Sequence, residues 1–332
     1  TILIFIGWGL CCPIDFGGLE RRFAPQTPLC AGDRPPRNGH AGKADNPMPS
    51  PLLIVHMSAS PHVVSQLTRA KLLRGQGDAL YAIGRYSEAL ARFQAAMTLH
   101  PDDYEVWTLH GFCLAALKQF EASLESFNQA IAYCPSYGLA WHGKGHALAK
   151  LSHFEAAVTH LERAVKLSPG DSKAWYNLGT AQNQLCRYRD AVNSFEHSLK
   201  VNPRDHRARY NQGVALCGLN RYDDALQVLQ VALDHRPSAH YIWNQRGTVL
   251  IQMGRYSEAI ASFDTSLTHR ADNPNAWYGK ARAYAMAGDL EHTLKNLYRT
   301  FVLSPYVYKV MVQIDAHFDG VRSHPQFERL VD

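Results

Sequence analysis

The sequence has no concentrated run of lysine or arginine. Its 34 basic and 29 acidic residues leave a formal net charge of only +5. A nucleic-acid-binding domain usually carries a basic stripe, so that class loses its main support. No G-x-x-x-x-G-K-[ST], H-E-x-x-H or G-x-S-x-G occurs, which removes the phosphate loop, the zinc protease and the nucleophile elbow. The seven cysteines include no C-x-x-C pair and have no histidines at zinc-finger spacing. An odd, scattered set of this kind reads as reduced thiols in a cytoplasmic protein. Long apolar runs are also missing. TILIFIGWGLCC at 1–12 is too short to span a bilayer, and it lacks the flanks of a secretory signal. Residues 13–56 are rich in Pro, Gly, Arg and Asp and show no period. Residues 1–56 therefore read as a disordered extension, or as sequence upstream of a natural start at Met57 or Met48.

What the chain does contain is an echo of itself. Residues 174–181 read AWYNLGTA; 140–147, one step of 34 upstream, read AWHGKGHA; 276–283, three steps of 34 downstream, read AWYGKARA. With position 1 at Ala70, seven periods follow without a gap: 70–103, 104–137, 138–171, 172–205, 206–239, 240–273 and 274–307. Position 4 holds Trp107, Trp141, Trp175, Trp243 and Trp277, five of the six tryptophans, with Leu73 and Arg209 in the other two units. Position 8 is glycine from Gly77 to Gly247 and then Ala281. Positions 20 and 27 are small, position 24 is Phe or Leu, and position 32 is Pro except at Ala271.

Positions 4, 7, 8 and 11 share one helical face, and positions 20, 24, 27 and 28 share another. Small residues at 8, 20 and 27 let two helices approach closely, and the large residues at 4 and 24 are expected to fill the space beside them. The turns read GRY at 84–86 and 254–256, CRY at 186–188 and NRY at 220–222. Gly or Asn there suits the left-handed residue that ends a helix, and Pro at 32 stops the second helix.

This pattern, W-x-x-x-G followed by A, F, A and P, resembles the tetratricopeptide repeat (TPR) family over residues 70–307. The resemblance implies an all-α fold, a right-handed α-solenoid (superhelix) of seven helix-turn-helix units. Arg209, Ala271, Ala281, Thr293 and Thr300 depart from the pattern; the last three suggest an end unit with a looser interior. Residues 308–332 read as a C-terminal capping helix and tail, since solenoids need polar end caps. Tails of the form D-x-x-F-x-x-x-R-x-x-P-x-F are common after bacterial arrays of this family, which implies a bacterial origin. Ser60-Pro61 looks like an N-cap and N1 pair, so 57–69 is expected to start the first helix.

In this family the first helix of each unit lines a concave surface through positions 2, 5, 6, 9, 12 and 13. Carried onto this sequence, the candidate peptide-binding groove comprises Lys173, Tyr176, Asn177 and Thr180, then Arg207, Tyr210 and Asn211, then Tyr241, Asn244 and Gln245. Asn and Gln amides offer both donor and acceptor to an extended backbone, and Tyr adds contact area with little rotamer entropy. The chaperone-binding set of lysines, asparagines and arginine occurs in no window of three units. His142 and His146 lie four apart, as metal ligands can; without a third ligand they read as solvent-facing histidines, and neither metal nor cofactor is expected. The implied function is a non-enzymatic scaffold or adaptor that holds an extended segment of another protein, with no nucleic acid and no membrane span. Two alternatives stand beside it. One is an RNA-binding helical-repeat protein, which salt-dependent RNA retention would reveal. The other is the TPR half of a longer enzyme, against which the apparent end cap weighs.

Overall fold

The computed structural model of the protein describes residues 61–331. The readings placed on residues 1–56, on the helix start before Pro61 and on Cys11, Cys12 and Cys30 lie outside the described residues. All regular structure among the described residues is helical. The chain divides into two compact units, with the boundary between Ser136 and Tyr137.

The first unit contains α1 (Pro61–Ala82), α2 (Tyr86–Leu99), α3 (Tyr104–Ala116) and α4 (Phe120–Tyr133). α1 packs on α2, α3 on α4, and α2 on α3. Phe93, Ala89, Ala96, Val106 and Cys113 form its core. Arg74 of α1 reaches Glu105 and Asp103 at the start of α3.

The second unit contains α5 (Gly138–Lys150), α6 (Phe154–Leu167), α7 (Ser172–Gln184), α8 (Tyr188–Val201), α9 (His206–Gly218) and α10 (Tyr222–His235). It continues with α11 (His240–Gln252), α12 (Tyr256–His269), α13 (Pro274–Met286) and α14 (Leu290–Leu303). These helices pack as consecutive pairs, and each pair packs on the next. After α14 the pattern breaks: α15 (Pro305–Ile314), a single 3-10 turn, α16 (Asp319–Arg322) and α17 (Pro325–Val331) are shorter. They bury Tyr308, Val312, Phe318, Val321, Phe327 and Val331 with Tyr278, Leu297 and Phe301 of α13 and α14.

The sequence pattern follows from how each pair closes. Glycine at position 8 is a matter of space. A Cβ on Gly179 would come within 2.8 Å of the Phe195 ring, and one on Gly247 within 2.7 Å of the Phe263 ring. Phe263 also lies over Gly279 of the following pair, so a single ring seals two hairpins. Each first helix ends in a Schellman closure; Arg187 N–H, for example, donates to the Gln182 carbonyl at 2.9 Å. The residue just before that donor has positive φ in all seven turns. Three of the seven are glycine and one is Asn220, but Lys118, Ser152 and Cys186 also take φ of 63°, 63° and 56°.

The tryptophans sit at the edge of the interior, where Trp243 and Trp277 pack against the core, and they have a second task that the sequence pattern does not announce. Each described indole is only partly buried, and four of the five donate Nε1–H to a backbone carbonyl six residues earlier. Trp107 reaches Pro101 O at 2.6 Å, Trp175 Pro169 O at 2.9 Å, Trp243 Pro237 O at 2.8 Å and Trp277 Ala271 O at 3.0 Å. The carbonyl lies in the linker after the preceding helix, where no helical partner is available. Arg209 makes the same bond to Pro203 O at 2.9 Å. An N–H donor on a long flat side chain is what these positions share, whereas Leu73 in the first unit has no preceding linker of the array to reach. Ala271 can replace proline because only its carbonyl is used.

Candidate functional site

Helices α5, α7, α9, α11 and α13 each contact the next in that series, although a whole helix separates them in the chain. No comparable contact joins α6, α8, α10 and α12. A stack whose first helices converge while its second helices stay apart curves toward the first helices. Their outward side chains therefore line the inner face of the second unit.

Asp171 begins the site. It is the N-cap of α7, and its Oδ1 accepts from the N–H groups of Lys173 at 2.9 Å and Ala174 at 3.1 Å. Its Oδ2 lies 2.9 Å from His142 Nδ1 on α5. Burial alone would raise this carboxyl. The His142 hydrogen bond and charge outweigh it, with help from the Ala174 and Lys173 N–H groups, and bring the pKa down to about 2. His142 Nε2 then meets the Asn177 side-chain amide, Nδ2, at 2.9 Å.

The same link is repeated one unit later. Asn211 Nδ2 donates to Tyr176 Oη at 3.1 Å and to the Arg207 carbonyl at 3.1 Å. In the unit after that, Tyr210 meets Tyr241 edge-on, with ring centroids 5.0 Å apart. Positions 5 and 6 thus brace adjacent units against each other. Asn177 and Asn211 each commit their donor to this brace.

Other candidates fare differently. Lys173 and Arg207 are exposed beside the amides, and Gln245 and Tyr241 are half-buried. Thr180 turns its hydroxyl back to the Tyr176 carbonyl at 2.9 Å, so it presents chiefly a methyl group. Asn244 is 8% exposed, and neither its Oδ1 nor its Nδ2 has a hydrogen-bond partner among the described residues. A buried primary amide in that state is uncommon in native proteins. Sequence reasoning did not single out Asn183 of α7. Its Nδ2 donates to the Asn211 carbonyl at 3.1 Å, and its Oδ1 is buried without a partner. Its place at position 12 of the period was the available signal.

The two histidines correct a second expectation. His142 is buried rather than solvent-facing. Burial, then the charges of His142 and Lys150, push His146 down to about 4. Because the unfolded chain titrates near 6.5, the native state is stabilised above that value and loses this contribution as pH falls toward 4. We expect His146→Gln to flatten the decline in unfolding free energy between pH 6.5 and 4, a decline of up to about 3 kcal/mol in the wild type. Urea titrations across that range measure it, and parallel curves for the two proteins would rule it out. Among the described residues no cluster of three or more His, Cys, Asp or Glu could hold a metal.

A tetratricopeptide repeat family model matches residues 74–137, 142–187, 184–240 and 244–292. Among solved structures, a tetratricopeptide repeat protein from Parabacteroides merdae is 16% identical. The match covers 80% of this chain and 100% of that one, with a TM-score of 0.57. PilF from Pseudomonas aeruginosa is 14% identical over 62% of this chain and 93% of its own, with a TM-score of 0.53. At these identities the likeness is one of fold. No curated protein matches the chain.

Proposed function

The chain belongs to the tetratricopeptide repeat family, and from that premise we propose that it is a non-enzymatic adaptor whose inner face, on α7, α9 and α11, holds an extended segment of another protein. Asn244 carries this reading. Burying an amide without partners costs about 1–3 kcal/mol. An extended backbone laid along the inner face would supply the missing donor and acceptor together once the Asn244 side chain turns outward to meet it. Asn177 and Asn211 offer their Oδ1 atoms to the same backbone, one per unit, while Tyr176, Tyr210, Tyr241 and Gln245 flank it. Lys173 and Arg207 favour a segment with acidic character. A cytoplasmic location fits this role, because scattered thiols such as Cys113, Cys134 and Cys217 suit a reducing compartment.

The test is calorimetric titration of a partner recovered by affinity purification. Asn244→Ala is expected to weaken binding by about 1–3 kcal/mol while leaving the array as stable as wild type or more so, since an unpaired amide is removed. The pair Asn177→Ala and Asn211→Ala should weaken binding to a similar extent, with helix content retained. Wild-type affinity in both variants would make the amides bystanders.

A further inference from the structure

We propose that the outer face of α14 and α15 is a docking surface for an anionic lipid bilayer, separate from the inner face and independent of what that face binds. Only Ser304 separates the two helices. On α14, Tyr298 and Val302 are 57% and 60% exposed; on α15, Tyr306, Val307, Val310 and Ile314 are all more than half exposed. Tyr306, Val310 and Ile314 recur every four residues and so share one side of α15. The opposite side is already occupied, because Tyr308 and Val312 are buried against α13 and α14. This helix is therefore apolar on both sides, and only one side has protein on it.

Charge decides what suits the open side. From Thr293 to Ile314 there is no aspartate or glutamate, while Lys295, Arg299 and Lys309 lie among the apolar residues. Apolar and tyrosine side chains interspersed with cations match a bilayer interface, where the rings and aliphatic groups enter the acyl boundary and the cations meet lipid phosphates. A second copy of the chain fits less well, because a symmetric contact would face these cations with a patch that holds no acidic residue to pair them. No helix among the described residues is long and apolar enough to cross a membrane, so the association is with the surface.

The experiment is flotation of the full chain with vesicles of phosphatidylcholine, alone and with about one third phosphatidylserine. Wild type is expected to float with the anionic vesicles and to remain at the bottom with the neutral ones. Lys295→Ala, Arg299→Ala and Lys309→Ala together should reduce the apparent partition coefficient at least about tenfold. Tyr306→Ser with Ile314→Ser should do likewise, with an unchanged circular-dichroism melt because both positions are exposed. Absence of flotation at low salt would overturn the proposal. So would equal binding to neutral vesicles, or variants that float like wild type. If instead wild type dimerises and the serine variant does not, without flotation, the face belongs to a second copy.

Discussion

Phe263→Ala is expected to lower the unfolding free energy of the array by about 3–5 kcal/mol, the range for removing a fully buried phenylalanine. The ring is 1% exposed. It lies over Gly247 within its own pair and over Gly279 of the next, so its loss leaves a cavity between neighbouring pairs as well as within one. Both glycines lack the Cβ that could partly refill it. Stability in a linear array is a sum of unit and nearest-neighbour terms. The substitution strikes one unit term and one interface term together. The urea transition should therefore broaden or separate into two steps, with α13 and α14 uncoupling from the pairs before them. Tyr298→Ala, on the exposed side of α14, serves as the control and should stay within about 0.5 kcal/mol of wild type. A single sharp transition displaced by less than about 1 kcal/mol in Phe263→Ala would show that the interface does not depend on this ring.

The helices were legible because contacts here are mostly between neighbours in sequence. Gly179 facing Phe195, or Gly247 facing Phe263, is written as a fixed spacing that repeats, and repetition separates signal from chance. The left-handed turn was legible only in part. Gly84, Gly254 and Asn220 announce it by residue type, whereas Lys118, Ser152 and Cys186 occupy the same conformation and are placed by the period alone. The tryptophans show half of their work in the sequence. Their spacing suits a buried face, yet the bond that uses them runs to a backbone carbonyl, which carries no residue type to read. Arg209 was the available hint, since a guanidinium shares an N–H donor with indole but not its apolar surface. In the groove, the candidate positions came from the family pattern, but their partners did not. His142 to Asn177 and Tyr176 to Asn211 both join residues 35 apart, and nothing local to either residue specifies such a pair. The N-cap role of Asp171 was open to reading as an acid just before a helix. Its simultaneous contact with His142 was not.

Ending the chain at Ser304 is expected to do more than trim a tail. α15 begins at Pro305, so this cut removes the whole closing segment. It uncovers Tyr278, Leu297 and Phe301, which pack against Tyr308, Val312, Phe318 and Phe327. A fully buried side chain of this size contributes roughly 1.5–3 kcal/mol, and several lose their cover at once. Polar losses compound this. Asp315 Oδ2 accepts from Tyr278 Oη at 2.9 Å and lies 3.2 Å from Arg282 Nε, so both partners lose their carboxylate. Apolar surface newly exposed at the end of a solenoid is free to pair with the same surface on another molecule. Sedimentation velocity should show mass rising with concentration in the truncated protein, and its melt should begin earlier than that of the full chain. Phe318→Ser in the full chain is expected to reproduce the early melt in milder form, because it opens the same cluster without removing helices. A truncated protein that stays monomeric and melts with the full chain would mean that α13 and α14 hold their faces closed without the segment that follows them.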